Sequence, residues 1–184
     1  MAARVPYLNQ DDLSDEHKDL LNRPIWLTRA LVNSPGTARA FHVLGNHIRF
    51  GMKLDMRLRE LAILQVGWLA RSPFEWSHHV KLGMEFGVSK QDIEGLIAET
   101  AGEPSGLGNL EKKVLLAARE MAANVEIPEP LFKEIQHELG NEQVVDLVVT
   151  IATYCAVVRV LASLGIEVEP EYRRYLEMFP LPST

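Results

Sequence analysis

Apolar residues along this chain recur at intervals of three and four, and short alternating runs bounded by turns are absent. That period is the helical one, so the pattern predicts an all-α protein. Ser14 caps a short, acidic-started helix ending near Asn22, and Pro24 opens a second that runs to about Val32. In NSPGTARAFHVLGNHIRFGMKLD, Ser34 is the expected N-cap and Pro35 the first residue of a third helix, with Gly51 as its stop. The fourth helix, from about Asp55 to Ala70, carries Leu58, Leu61, Ala62, Ile63, Leu64, Val66, Trp68 and Leu69. It is apolar nearly all round, which predicts a central, enclosed helix. A fifth starts at Pro73 and ends near Gly87, and Ser89 caps a sixth that reaches about Thr100. The stretch AGEPSGLGN, with three glycines and a proline, is the clearest loop. Helices follow over about 110–123, 128–139 and 141–164. The last has only Asp146 and Arg159 as charges in its body, so it is either core or subunit interface. The tail, GIEVEPEYRRYLEMFPLPST, is punctuated by prolines and reads as an extended arm.

Length adds that this is one domain: 184 residues bury a sizeable core but fall short of two. Apolar residues at 47% and charged residues at 24% are ordinary for a soluble globular protein. The net charge of -6, with both signs interspersed, leaves no basic face for nucleic acid. The N-terminus turns acidic before a signal peptide's apolar core forms, and the most apolar run, Leu147 to Val158, is shorter than the roughly 20 residues of a bilayer crossing. The expectation is a cytoplasmic protein with no nucleic-acid or membrane partner.

Chemistry narrows quickly. The single cysteine, Cys155, lies in the apolar run VVTIATYCAVVRVL, where a lone thiol serves as a small buried hydrophobe. No disulfide and no CxxC pair can form within the chain. The six histidines form no HExxH-type pair, and no glycine-rich phosphate loop is present, so neither a metal nor a cofactor is signalled.

What remains is SPFEWSHH, residues 72–79. In its plain reading Ser72 is an N-cap, Pro73 the first helical residue and Glu75 the partner in a capping box, with His79 one turn on and bonded to Glu75. A functional reading rests on three features. Glu60 sits inside an almost wholly apolar helix, where burial favours the protonated carboxyl and suits a proton donor. Glu75 and His79 set an acid beside an imidazole, the usual pairing for acid–base work. The helix N-terminus offers free N–H groups and the positive end of a dipole to a substrate carboxylate. That dipole makes Glu75 the better base and leaves Glu60 the better acid.

At KLDMRLRELAILQVGWLARSPFEWSHHVKLGMEFGVSKQDIEGL the chain resembles the carboxymuconolactone decarboxylase family, whose superfamily includes the AhpD-like alkylhydroperoxidases. LRELAIL and EWSHHV carry the resemblance, which spans roughly Pro24 to Gly165. In the peroxidase branch a glutamate is followed by two cysteines and a histidine. Those positions fall on Glu60, Ser72, Glu75 and His79, so both thiols are replaced here and that chemistry is not expected. The resemblance implies an orthogonal helical bundle, a homo-oligomer of three or six subunits, and no cofactor. It also implies a lyase acting on a small carboxylated lactone or related metabolite. Glu60, Glu75 and His79 would handle protons, with His79 protonating carbon and Glu75 holding it. Ser72 would face the substrate carboxylate, with Trp76, His47 and Asn46 lining the pocket, and Phe74 and Trp76 serving as walls or core rather than in the chemistry. His78, about 100° around the helix from His79, is expected at the surface, as are His17, His42 and His137. The other reading is a non-catalytic oligomeric module that binds a small molecule on the same scaffold.

Overall fold

The computed structural model describes residues 3–182, and all regular structure among them is helical. Two 3-10 turns, Gln10–Asp12 and Asp15–Leu21, precede α1 (Trp26–Leu31) and α2 (Pro35–Phe50). Then come α3 (Met56–Leu69), α4 (Pro73–Glu85), α5 (Lys90–Thr100), α6 (Asn109–Asn124) and α7 (Glu129–Leu164). A last 3-10 turn, Pro170–Tyr172, leads into α8 (Arg173–Met178).

The predicted central helix is central. Every residue of α3 from Leu58 to Gly67 is buried, and α4, α5, α6 and α7 all pack on it. Asp55 starts it by accepting the Leu58 N–H at 3.0 Å. One side of α3 joins α6 and α7 around Ala62, Val66, Ala118, Leu147 and Ile151. Another joins α4, α5 and the C-terminal segment around Leu61, Leu64, Trp76 and Ile93. A third cluster gathers Leu20, Leu27, Leu31, Phe74 and Leu161, closing the N-terminal segment over α4 and α7.

Helices expected over 128–139 and 141–164 form one run broken at Gly140, whose φ of 76° and ψ of 173° no side-chain-bearing residue adopts comfortably. By length and composition α7 could cross a membrane, yet Ile135, Val144, Leu147, Ile151 and Leu161 are core residues here.

Three expectations change. The segment capped by Ser14 is a 3-10 turn without a side-chain cap, since Leu20 and Leu21 are its only buried residues and too little packing holds it in α geometry. Ser34 precedes α2, but its hydroxyl meets Thr37 rather than a backbone N–H. The tail is not an extended arm: Tyr172, Tyr175 and Phe179 are buried, and Trp76 Nε1 donates to the Phe179 carbonyl at 2.7 Å. Its aromatic residues, spaced three and four apart, give it an apolar face that folds back on α4.

Candidate active site

Glu60 and His79 are brought together because α3 and α4 pack face to face. Gly67 is where they approach, since a Cβ there would stand only 3.4 Å from the Trp76 backbone nitrogen. Ser72 caps α4 by accepting the Glu75 N–H at 3.4 Å, but the capping box is only half made. The Glu75 carboxylate has turned to His79 instead of its own helix end.

His79 is clasped from both sides. Nδ1 stands 2.7 Å from Glu60 Oε2 in an aligned hydrogen bond, and Nε2 stands 3.0 Å from Glu75 Oε1. The second contact is close but off-axis, so Glu75 Oε1 is buried without a true hydrogen-bond partner. Poor alignment of this kind is common in unliganded acid–base sites and tightens when substrate arrives. Behind Glu60 lies Arg59, 2% exposed, whose Nε and Nη2 donate to Glu60 Oε1 at 3.1 and 2.9 Å. Its Nη1 donates to the Arg49 carbonyl at 2.7 Å, and its guanidinium lies over the Phe86 ring at 4.8 Å.

These partners decide the charges. Burial pushes the Glu60 carboxyl up, but the His79 and Arg59 charges and hydrogen bonds outweigh it and hold Glu60 below the usual carboxylate range. Glu60 is therefore ionised, contrary to the protonated acid expected from its apolar helix, because Arg59 is buried with it. For His79, burial works against the charge, while Glu60 and Glu75 overcome it and raise the imidazole to about 9. At neutral pH the ring is an imidazolium, and the proton-rich group of the site is His79.

A cavity of about 640 Å³ opens in front of it. Its walls come from the N-terminal segment, α1, α2, α4 and α7, among them Leu20, Leu27, Phe41, Ile48, Phe74 and Val157. Glu75, His79 and Asn46 line it, whereas Glu60 stands behind His79. Ser72 lies on a neighbouring depression with Arg71, Pro73 and Leu161. Trp76 is fully buried against Trp68 and the tail, and His47 is exposed on α2, so neither faces the cavity.

Two other histidines differ from expectation. His42 lines the cavity, with Nε2 buried and unpartnered, because the N-terminal segment folds across α2. His78 is not at the surface. Its ring is sandwiched between Phe74 and Tyr172, centroids 4.0 and 3.5 Å away, and Nε2 lies 2.8 Å from Glu169 Oε2. Burial holds the His78 pKa below its usual value, with Glu169 opposing, so the ring is neutral at pH 7. Glu169 also takes the Trp26 N–H at 2.6 Å, fastening α1, α4 and the tail together.

Sequence reasoning passed over Arg59, Arg49 and Tyr154. Arg59 adjoins Glu60 in LRELAIL, and a charged pair inside an apolar helix was the available signal. Tyr154 stands edge-on to His79, centroids 5.0 Å apart at 84°, and lines the cavity. Among the described residues no group of three or more His, Cys, Asp or Glu is arranged to hold a metal ion.

Residues 35–120 match the model of the carboxymuconolactone decarboxylase family, in agreement with the resemblance carried by LRELAIL and EWSHHV. No curated protein matches the chain in sequence. Among solved structures, an uncharacterized peroxidase-related protein from Ralstonia eutropha JMP134, described as an alkylhydroperoxidase AhpD core, superposes with a TM-score of 0.77 at 15% identity over 95% of each chain. A peroxidase-related protein from Silicibacter sp. TM1040 gives 0.76 at 18% identity, over 92% of this chain and 93% of its own. A cysteine-to-alanine variant of the debrominase Bmp8, in complex with 2,3,4-tribromopyrrole, gives 0.80 at 16%, over 97% and 98%. At these identities the shared property is the AhpD-like helical fold.

Proposed function

We propose that this chain, whose residues 35–120 match the carboxymuconolactone decarboxylase family, is a cofactor-free lyase using acid–base catalysis on a small carboxylated lactone or a related metabolite. The observation that carries this reading is the charged His79, clasped by Glu60 and Glu75 at the head of a largely apolar cavity. The AhpD-like relatives in structure do not argue for peroxide chemistry here, because Ser72 and Glu75 occupy the positions where the peroxidase branch carries its thiols.

The chemistry needs a place for one carboxylate, a sink for one electron pair and one proton. As the carbon–carbon bond to the carboxylate breaks, carbon dioxide leaves and the electron pair moves into the conjugated carbonyl. The resulting dienolate takes a proton at carbon from the His79 imidazolium, directly or through Glu75, and solvent reloads the ring. Positioned proton donors contribute about 10²–10⁴-fold in rate. Glu60 does not touch substrate; it orients Nδ1 and keeps the ring charged. Because Ser72 opens on the other depression, the substrate carboxylate falls to Arg49 and Asn46 on the cavity wall.

Self-association belongs to the same reading. Val43 and Phe50 on α2 and Val145 on α7 are large apolar side chains at the surface, which a ring of three or six copies would cover. Light scattering measures it.

A binding module without turnover is the rival, favoured by how completely Arg59, Glu60 and His79 satisfy one another. The two are separated by ultraviolet-monitored turnover of γ-carboxymuconolactone with released carbon dioxide, comparing native protein with His79→Ala. Turnover that falls at least 100-fold in the variant supports the lyase. A native protein inert toward this and related lactones supports the binding module.

A further inference from the structure

Tyr154 is the one phenol on the cavity face of α7, set with Thr153 in the turn ATYCAVV. Its ring packs among the side chains of two core clusters and meets His79 edge-on, 5.0 Å between centroids. A phenylalanine would fill that space equally well. Tyr154 is half-buried and its hydroxyl oxygen is not sealed from solvent, so the O–H is open to the cavity that the residue lines. Among the described residues that hydroxyl has no hydrogen-bond partner, which leaves it available to a ligand in the cavity beside His79. Burial, with the negative charges of Glu75 and Glu60 behind it, keeps the phenol un-ionised far beyond neutral pH. The group is therefore a permanent donor, beside the proton source and on the wall of the cavity.

Resting on the acid–base reading above, we propose that Tyr154 is a catalytic residue whose O–H donates to the substrate oxygen on which negative charge collects. In the ground state that oxygen is a carbonyl and the bond is an ordinary one. When the electron pair moves in, the oxygen becomes an enolate, and a donor on the wall of a largely apolar cavity stabilises it more than the carbonyl. No proton leaves Tyr154. Removal of one such donor costs about 10²–10³ in turnover.

The test uses 4-nitrophenol as an oxyanion probe, so it needs no knowledge of the natural substrate. At mildly alkaline pH the probe has already given its proton to the buffer and binds as the coloured phenolate. Native protein is expected to bind the phenolate and lower the apparent pKa of the probe. Tyr154→Phe is expected to bind phenolate at least 10-fold more weakly while binding nitrobenzene, which lacks the oxyanion, as native does. The NMR titration of His79 in the variant reports whether the clasp survives. Equal phenolate binding by the two proteins, or none by the native protein, overturns the proposal. Because the probe reads binding and not turnover, an inert result with lactones would refute the lyase and leave this result standing by itself.

Discussion

His78 and His79 are neighbours in sequence, yet they answer to different carboxylates on different sides of α4. His79 Nδ1 pairs with Glu60 at 2.7 Å, and His78 Nε2 with Glu169 at 2.8 Å. Burial opposes charge on both rings. Glu60 and Glu75, both against the ring, reverse that for His79, while Glu169 with the more distant Glu75 charge, opposed by the charge of His79, does not for His78. One ring is an imidazolium at pH 7 and the next is neutral.

Stability should therefore fall on the alkaline side. The His79 pKa of about 9 in the folded protein exceeds the roughly 6.5 of an unfolded histidine. Its contribution is complete below pH 6.5 and is lost as pH rises through about 9, on the order of a few kcal/mol. Melting temperatures measured from pH 6 to 10 should decline over that window, and His79→Gln should flatten the decline. Turnover by the native protein should vanish over the same range.

Glu60→Gln should be costly out of proportion to its size. It leaves Arg59 charged and buried without its carboxylate, a situation worth about 3–5 kcal/mol. Denaturant unfolding measures that, and NMR should show His79 titrating lower than in the native protein. Replacing Arg59 by methionine in the same variant should recover part of the loss.

Removal of Glu169 should loosen the chain's two ends together. Glu169→Ala strips acceptors from the Trp26 N–H and the His78 Nε2–H, each buried donor costing about 1–3 kcal/mol. Limited proteolysis should then cut after Gly165 at protease concentrations that leave the native protein whole.

Thiol-dependent peroxide reduction should be absent. With dihydrolipoamide and hydrogen peroxide, the native protein and Cys155→Ser should both run at the uncatalysed rate. Turnover above that rate in the native protein would show a thiol-dependent route that the site as described does not provide.

The helical framework was legible because periodicity, prolines and capping residues are local signals, and α3 through α6 follow them closely. Glu60, Glu75 and His79 were legible as a set through their spacing. The charges were not, because Glu60's partner Arg59 looks like a surface residue in sequence and is fixed by α2 carbonyls. His78 was misplaced for a related reason. A single helix suggests one buried face, whereas α4 is enclosed by α3 on one side and by α8 and the turn before it on the other. Glu169 and Tyr154, 91 and 75 positions away from the histidines they touch, leave no local trace.

Arg59 has a wider consequence. Its guanidinium ends on the Arg49 carbonyl, in the last turn of a helix whose side chains Phe41, Ile48 and Arg49 form a cavity wall. The wall that a ligand presses and the carboxylate that keeps His79 charged are thus tied by one rigid side chain. Substitutions in the final turn of α2 should therefore shift the acidity of an imidazole they never touch.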